Sequence, residues 1–132
     1  MTTGKRIGIL TSGGDCPGLN AAIRATAKTA ISEGYQVIGI RNGWEGLIND
    51  NNIILDKVNT SGIIDQGGTI LGSSRLSPLK LENGPELVLA KFHELGLRAL
   101  VVLGGEGTLS VASKLHQHGL PVIGIPKTID ND

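Results

Sequence analysis

The chain has 132 residues, 39% of them apolar and 18% charged, which is enough for one domain with a hydrophobic core and is not a disordered composition. Twelve basic residues balance twelve acidic residues, so no overall field would draw the protein to nucleic acid or to a membrane surface. Aromatic residues make up only 2%, which argues against a surface for stacking the bases of single strands. We therefore expect neither a nucleic-acid partner nor a membrane partner.

The single cysteine, Cys16, cannot form an internal disulfide, and no cysteine–histidine cluster has the spacing of a zinc site. The sequence contains no run of roughly 20 apolar residues that would span a membrane. It also shows no secretory signal segment at its N-terminus. The expected location is the cytoplasm.

Short apolar runs alternate with segments of helical spacing along the chain. Strands are predicted at 6–10 (RIGIL), 35–40 (YQVIGI), 53–58 (IILDKV), 98–105 (RALVVLGG) and 121–125 (PVIGI). Helices are predicted at 19–34, 85–96 and 108–119, with Gly34 as a C-terminal stop and Pro85 at the start of its helix. Residues 41–52 are predicted to form a loop, and 61–75 begins with the candidate cap Ser61 and breaks at Gly67.

Strands that are almost continuously apolar, alternating with helices, indicate an α/β fold. The sheet should be open and mainly parallel, with helices on both faces. No internal repeat or linker is visible, so residues 1–132 are interpreted as one domain.

Three unusual segments directly follow three of these strands. TSGGDCPG follows the first strand, GGEGT follows RALVVL, and PKTIDND follows PVIGI. In open α/β sheets, ligands bind beyond the carboxyl ends of the strands. The three segments are therefore expected to meet at one edge of the sheet.

Two of the segments contain a Gly-Gly pair, at Gly13–Gly14 and Gly104–Gly105. Such a turn leading into a helix can direct backbone N–H groups at an anion. Neither pair fits the Walker motif GxxxxGK[ST] or the dinucleotide motif GxGxxG. Each glycine could equally serve close packing at the end of a strand.

Charged residues in the same segments suggest phosphate chemistry. Glu106 among phosphate-binding amides would need a cation, and Mg²⁺ suits it, although an acid that caps the helix is the alternative. One of Asp130 and Asp132 could accept a proton from a hydroxyl while the other orders Mg²⁺ or the loop. The alternative is that both belong to a polar turn that caps the next helix. Lys127 could meet a phosphate as a point charge, or could be a surface lysine, and Arg75 has the same two interpretations. His93, His116 and His118 are interpreted as surface residues, and Cys16 as a small packed residue.

Taken together, TSGGDCPGLNAAIR, GGTILGSSR, GGEGTL and PKTIDND resemble the 6-phosphofructokinase family in order and spacing, from residue 5 to residue 132. NAD kinases and diacylglycerol kinases carry a GGDGT that is similar to GGEGT. They lack the TIDND segment in this context, so the resemblance rests on the full set of motifs.

The resemblance implies phosphoryl transfer from Mg-ATP to the 1-hydroxyl of fructose 6-phosphate, which gives fructose 1,6-bisphosphate in glycolysis. It also implies the N-terminal domain fold of that family and a homo-oligomer, tetramer or dimer, at full length. The roles that it implies are catalysis by Asp130 and Lys127, sugar binding by Thr128 and Asp130, donor binding by Gly14, Arg75, Leu76, Gly105, Glu106, Gly107 and Thr108, and Mg²⁺ binding by Glu106 and Asp132.

Two positions point to different phosphoryl donors. Lys127 resembles pyrophosphate-using members, many ATP users having glycine there. Gly107 resembles ATP users, because pyrophosphate users typically carry an aspartate that would crowd the α-phosphate region. We expect ATP, with pyrophosphate as the alternative. Gly107 is given more weight than Lys127, because a side chain that blocks ATP would exclude it, whereas an additional positive charge would not. Arg24 matches an effector-site arginine of bacterial members, but Lys28 replaces a second arginine and cannot offer its planar fork.

Family members are longer, and the resemblance implies that most of their sugar-binding residues lie beyond residue 132. We therefore expect a chain truncated at its C-terminus that is a poor catalyst or none by itself. The alternatives are a non-catalytic nucleotide- or phosphate-binding module and a different GGDGT-type kinase. The first is disfavoured by Asp130 and Glu106, and the second by TIDND.

Overall fold

The computed structural model describes residues 5–12, 19–60, 71–72 and 76–126. In this part of the chain the strands are β1 (Arg6–Thr11), β2 (Gln36–Ile40), β3 (Asn52–Leu55), β4 (Ala99–Gly104) and β5 (Val122–Pro126). The helices are α1 (Leu19–Ser32), α2 (Gly43–Ile48), α3 (Lys57–Thr60), α4 (Gly84–Glu94) and α5 (Glu106–Gln117), with a 3₁₀ turn at Pro78–Lys80. The predictions for β1, β2, β4, β5, α1, α4 and α5 are confirmed to within two residues at each end.

The five strands form one sheet in the order β3-β2-β1-β4-β5. β1 is parallel to β2 and to β4, β4 is parallel to β5, and β3 is antiparallel to β2. Leu10 of β1 lies opposite both Ile40 and Val102, so β1 occupies the centre of the sheet. The predicted open, mainly parallel sheet is confirmed.

Apolar side chains pack on both faces of the sheet. Successive residues of a strand point to opposite faces, and here Ile9 and Leu10 belong to two different core clusters. On one face, α1 packs with Ile23 and Ala27, and on the other, α2, α4 and α5 pack around residues such as Phe92. Helices therefore cover both faces, as predicted.

Helix α1 shows how the sequence produces one of these layers. Ile23, Ala27 and Ala30 recur at helical spacing and are buried against the sheet. Complete burial of a side chain such as Ile23 contributes about 1.5–3 kcal/mol. The helix ends where Gly34 adopts φ +89° and Tyr35 donates its backbone N–H to the Ala30 carbonyl (3.0 Å). That closing pattern confirms Gly34 as the helix stop.

Two predictions for the middle of the chain are wrong. Residues 41–52 do not form only a loop, because α2 lies within them and buries Trp44 and Leu47. Those two residues are three positions apart, which is a helical spacing. The surrounding Asn and Gly residues are turn signals, and they favoured the prediction of a loop. The strand predicted at 53–58 ends instead at Leu55.

The early end of β3 has a local cause. Asp56 Oδ1 accepts a hydrogen bond from the Asn59 backbone N–H, and Asn59 Oδ1 accepts one from the Asp56 N–H, both at 2.8 Å. This reciprocal pair starts α3 in the manner of a capping box. The predictions for Ser61 and Gly67 lie outside the described residues. Among the helices that the structure describes, none combines the length and the apolar character needed to cross a membrane.

Candidate functional site

The carboxyl ends of β1, β4 and β5 lie side by side at one edge of the sheet, here called the carboxyl edge. Thr11 pairs with Leu103, and Gly104 pairs with Pro126. One residue further, the Ser12 backbone N–H donates to the Leu103 carbonyl at 3.1 Å. The segments after these three strands therefore start from neighbouring points at one edge, as predicted for the carboxyl ends of strands in an open α/β sheet.

The GGEGT segment is the part of this edge that the structure describes completely. Gly104 ends β4, Gly105 is the extended residue before the helix, and Glu106 begins α5. The helix starts two residues earlier than predicted, so Glu106 and Gly107 both belong to its first turn. N–H groups in a first helical turn have no partner within the helix and, together with the helix dipole, favour an anion. No side chain caps this end.

Gly104 and Gly107, two of the three glycines of this segment, have different surroundings. A Cβ on Gly104 would lie 2.6 Å from Cβ of Thr108, which is itself buried. Packing therefore requires glycine at position 104. A Cβ on Gly107 would meet no described atom within 4 Å. Packing against the described residues does not require glycine at position 107, and none of them occupies the space beside it.

Glu106 carries the only side-chain charge of the GGEGT segment. Its side chain is exposed at the start of α5, where a carboxylate is favoured by the helix dipole. In the part of the chain that the structure describes, no group of three or more His, Cys, Asp or Glu residues could hold a metal ion. A cation at Glu106 would therefore take its other oxygen ligands from outside this described set, for example from a donor phosphate and from water, as is typical of Mg²⁺.

A second set of contacts at the carboxyl edge was not predicted. Thr11 Oγ1 donates to the Gly72 carbonyl at 2.8 Å, and the Asn42 backbone N–H donates to the Leu71 carbonyl at 2.9 Å. The segment that precedes Arg75 is thereby attached to the ends of β1 and β2. The Asn42–Gly43 pair was a turn signal in the sequence, but nothing in it indicated contact with Gly72.

A phosphofructokinase family profile matches residues 6–132. The chain belongs to the phosphofructokinase family. It is 53% identical over 128 residues to the ATP-dependent 6-phosphofructokinase 3 of Streptomyces coelicolor, covering 96% of this chain and 38% of that protein. It is 50% identical over 127 residues to the pyrophosphate–fructose 6-phosphate 1-phosphotransferase of Dictyoglomus thermophilum, covering 96% of this chain and 37% of that protein.

The fold comparison agrees with this family. The crystal structure of Pichia pastoris phosphofructokinase in the T-state matches with a TM-score of 0.90 and 32% identity, over 96% of this chain and 15% of that one. The phosphofructokinase chain described here thus spans less than two fifths of the length of the curated relatives. Those relatives include both ATP and pyrophosphate enzymes at similar identity, so the comparison leaves the donor open.

The predicted site residues of this phosphofructokinase chain fall into two groups. Gly105, Glu106, Gly107 and Thr108 lie together at the carboxyl edge. Leu76 is half-buried and packs against the core cluster on the α2 and α4 face, so it also serves the core. The predicted residues that lie outside the described part of the chain are Gly14, Arg75, Lys127, Thr128, Asp130 and Asp132, and their roles stay predictions. Cys16 lies outside it too, and His93, His116 and His118 are exposed as expected.

Proposed function

We propose that this chain is the donor-binding part of a 6-phosphofructokinase, which transfers a phosphoryl group from Mg-ATP to the 1-hydroxyl of fructose 6-phosphate. The observation that carries the proposal is the Gly104–Gly105–Glu106 turn at the carboxyl end of β4, with no described atom in the space beside Gly107. That turn combines helix N–H groups, one carboxylate and room for a ligand. Phosphoryl transfer depends mainly on such positioning and on neutralising charge.

The acceptor side of the reaction is assigned to the residues that follow β5. Asp130 takes the proton of the sugar 1-hydroxyl, Thr128 contacts the sugar, and Lys127 stabilises the transferring phosphoryl group. Asp130 comes four residues after Pro126, so the chain can carry it no more than about 14 Å from the end of the strand. This reach is compatible with contact to a donor held at Glu106, because Pro126 pairs with Gly104.

Mg²⁺ is assigned to Glu106, with Asp132 as a second carboxylate. When bound, the ion would neutralise charge on the donor phosphates. Glu106 fits this role because its exposed carboxylate stands among N–H groups that attract phosphate. Gly14, Arg75 and Leu76 are assigned to the donor on the β1 side of the edge.

ATP is the proposed donor because Gly107 leaves open space beside α5, where a larger side chain would project. Pyrophosphate is the second candidate, favoured by Lys127 and by the 50% identity to a pyrophosphate-using relative. We also propose that the full-length protein is a cytoplasmic homo-oligomer and that residues 1–132 alone turn over slowly or not at all.

The test is a coupled assay for fructose 1,6-bisphosphate with fructose 6-phosphate, Mg²⁺ and either ATP or pyrophosphate. It should be run on the protein at its full native length and on residues 1–132. Turnover with ATP at full length supports the proposal. Turnover with pyrophosphate but not with ATP would show that pyrophosphate is the donor. A folded full-length protein that binds a donor but gives no product with either would leave only the binding-module alternative.

A further inference from the structure

Three chain segments meet at the carboxyl edge beside β1, at what we call the junction: Thr11, Asn42, Gly43, Leu71 and Gly72. The Thr11 hydroxyl is completely buried and donates to the Gly72 carbonyl at 2.8 Å, across 61 positions of sequence. The Asn42 N–H donates to the Leu71 carbonyl at 2.9 Å. The consecutive carbonyls of Leu71 and Gly72 thus accept hydrogen bonds from residues at or just after the carboxyl ends of β2 and β1, respectively.

The backbone of the junction leaves little freedom. Asn42, Gly43 and Gly72 have φ values of 60°, 61° and 72°. A Cβ on Gly72 would lie 2.8 Å from Oδ1 of Asn42, and one on Gly43 would lie 3.1 Å from the Thr11 carbonyl oxygen. A non-glycine residue such as Asn42 at positive φ costs free energy and persists where its surroundings determine its conformation.

The junction stands at the start of two segments that are assigned to the phosphoryl donor. Gly14 follows Thr11 by three residues, and Arg75 follows Gly72 by three residues. Each of these residues can lie at most about 11 Å from its anchor. A bond between Thr11 and Gly72 therefore limits the separation of the two segments.

We propose that Thr11 is a positioning residue for the phosphoryl donor. Its hydroxyl bonds the Gly72 carbonyl to the end of β1, where Thr11 pairs with Leu103 beside the Gly104–Gly105–Glu106 turn, and so fixes the Gly72 segment next to the proposed donor turn. This role rests on the proposed function. A buried hydroxyl in a central strand needs a hydrogen-bond partner, and the Gly72 carbonyl, which accepts from this hydroxyl, lies in a different segment of the chain.

The chain offers a matched control. Thr60 is also buried, and its Oγ1 donates to a backbone carbonyl, that of Asp56, at 2.6 Å. This bond joins the last residue of α3 to the residue before that helix. It follows the end of β3, where Leu55 pairs with Val37 near the beginning of β2. Thr60 is therefore at the opposite edge of the sheet from the proposed donor site.

The experiment compares Thr11→Val, Thr11→Ser and Thr60→Val at full native length. Mg-ATP and pyrophosphate are titrated calorimetrically, thermal unfolding is recorded, and kcat and KM are measured for donor and sugar. Thr11→Val should weaken donor binding about tenfold, the effect of one buried hydrogen bond, and raise the donor KM with little change in the sugar KM. Thr11→Ser should restore binding, and Thr60→Val should lower the unfolding temperature without changing donor affinity.

Amide hydrogen exchange at Asn42, without ligand, reports on the junction itself and should become faster in Thr11→Val only. Should Thr11→Val fail to fold, Thr11→Ala and Thr60→Ala provide the same comparison. Equal donor affinity in wild type and Thr11→Val, or equal losses in Thr11→Val and Thr60→Val, would overturn the positioning role while the proposed function stands. A wild type that binds neither donor would overturn both, whatever the exchange rates.

Discussion

At the amino edge of the sheet, where β1, β2 and β4 begin, long side chains connect the strands. Arg6 Nε donates to Gln36 Oε1 at 2.7 Å, and its Nη1 donates to the Leu95 carbonyl at 2.7 Å. Arg98 Nη1 donates to the Tyr35 hydroxyl at 2.9 Å, and Lys5 Nζ lies 5.0 Å from the centroid of the Tyr35 ring. Here long side chains add contacts to backbone bonds such as that from the Arg98 N–H to the Arg6 carbonyl (2.7 Å).

Among the described residues of the carboxyl edge, the contacts come from the backbone and from small side chains. Thr11 bonds to the Gly72 carbonyl, the Ser12 N–H bonds to the Leu103 carbonyl, and Gly104 lies against Thr108. Long side chains would fill this edge, whereas glycine and threonine leave N–H groups and space available. The comparison indicates that one edge of the sheet contributes to stability and the other to binding, and substitutions can test that division.

The largest effect is expected from Asp130→Ala at full native length. Loss of a general base lowers turnover by about 10²- to 10⁴-fold, and donor binding should survive because the donor contacts are assigned to other residues. Steady-state turnover and donor titration measure the two effects separately. Glu33→Ala, an exposed carboxylate before β2, is the control and should leave turnover unchanged. Full activity in Asp130→Ala would show that Asp130 is not the general base.

The next largest effects are expected from alanine substitutions at Gly104 and Gly107, which should change stability and donor affinity differently. Gly104→Ala should destabilise the fold by about 1–3 kcal/mol, because its Cβ would overlap Thr108. Gly107→Ala should leave stability equal or slightly higher, since no described atom lies near its Cβ and alanine suits a helix better than glycine by about 1 kcal/mol. It should nevertheless weaken donor binding. Urea unfolding and calorimetric titration test both, and unchanged donor affinity in Gly107→Ala would contradict a donor beside α5.

A smaller effect is expected at the amino edge. Arg98→Met removes a hydrogen bond to Tyr35 and a cation–π contact of 5.7 Å. We expect a loss of about 0.5–1 kcal/mol in unfolding free energy and no change in donor affinity. A clear loss of donor binding in this variant would show that the two edges are not independent.

The smallest effect is expected at Lys91, which joins α4 to the turn after α2. Its ammonium is 2.8 Å from Asp50 and 3.2 Å from Glu94. Hydrogen bonds to Asp50 and then to Glu94 raise the pKa of Lys91 above its ordinary value. A raised lysine pKa adds stability that is fully present below the unfolded-state pKa and is lost as pH rises through the folded-state pKa.

Lys91→Met should therefore lower stability slightly at neutral pH and low salt, and the difference should vanish in high salt or strongly alkaline solution. Chemical unfolding at several pH values and salt concentrations measures it. Lys114→Met is the control, because Lys114 is exposed on α5 and makes no ion pair with the described residues. A difference between Lys91→Met and wild type that grows with pH would contradict the assignment.

Most of the fold could be predicted because its signals are local. The apolar runs of β1 and β4, the alanine-rich spacing of α1 and the stop at Gly34 each depend on neighbouring residues. The errors arose where local signals conflicted. Asn42 and Gly43 indicate a turn, yet burial of Trp44 and Leu47 continues the chain as α2.

The candidate site likewise has features that the sequence predicted and features that only the structure showed. The predicted parallel sheet was enough to place GGEGT at the same edge as the segments after β1 and β5, because parallel strands end at one edge. Sequence could not distinguish Gly104 from Gly107. Whether a Cβ fits at Gly104 or Gly107 depends on the path of α5.

The sequence by itself determined most of the strands and helices, the α/β class and the motifs of the phosphofructokinase family, since all three are encoded in residue type and spacing along the chain. Tertiary structure decided that residues 43–48 form α2 and that β3 runs antiparallel. It also decided that Gly104 is needed for packing while no described atom lies beside Gly107, and that Thr11 bonds to Gly72. The physical reason is that these features depend on distances between segments far apart in sequence. Such distances arise only when the helices have packed on the sheet.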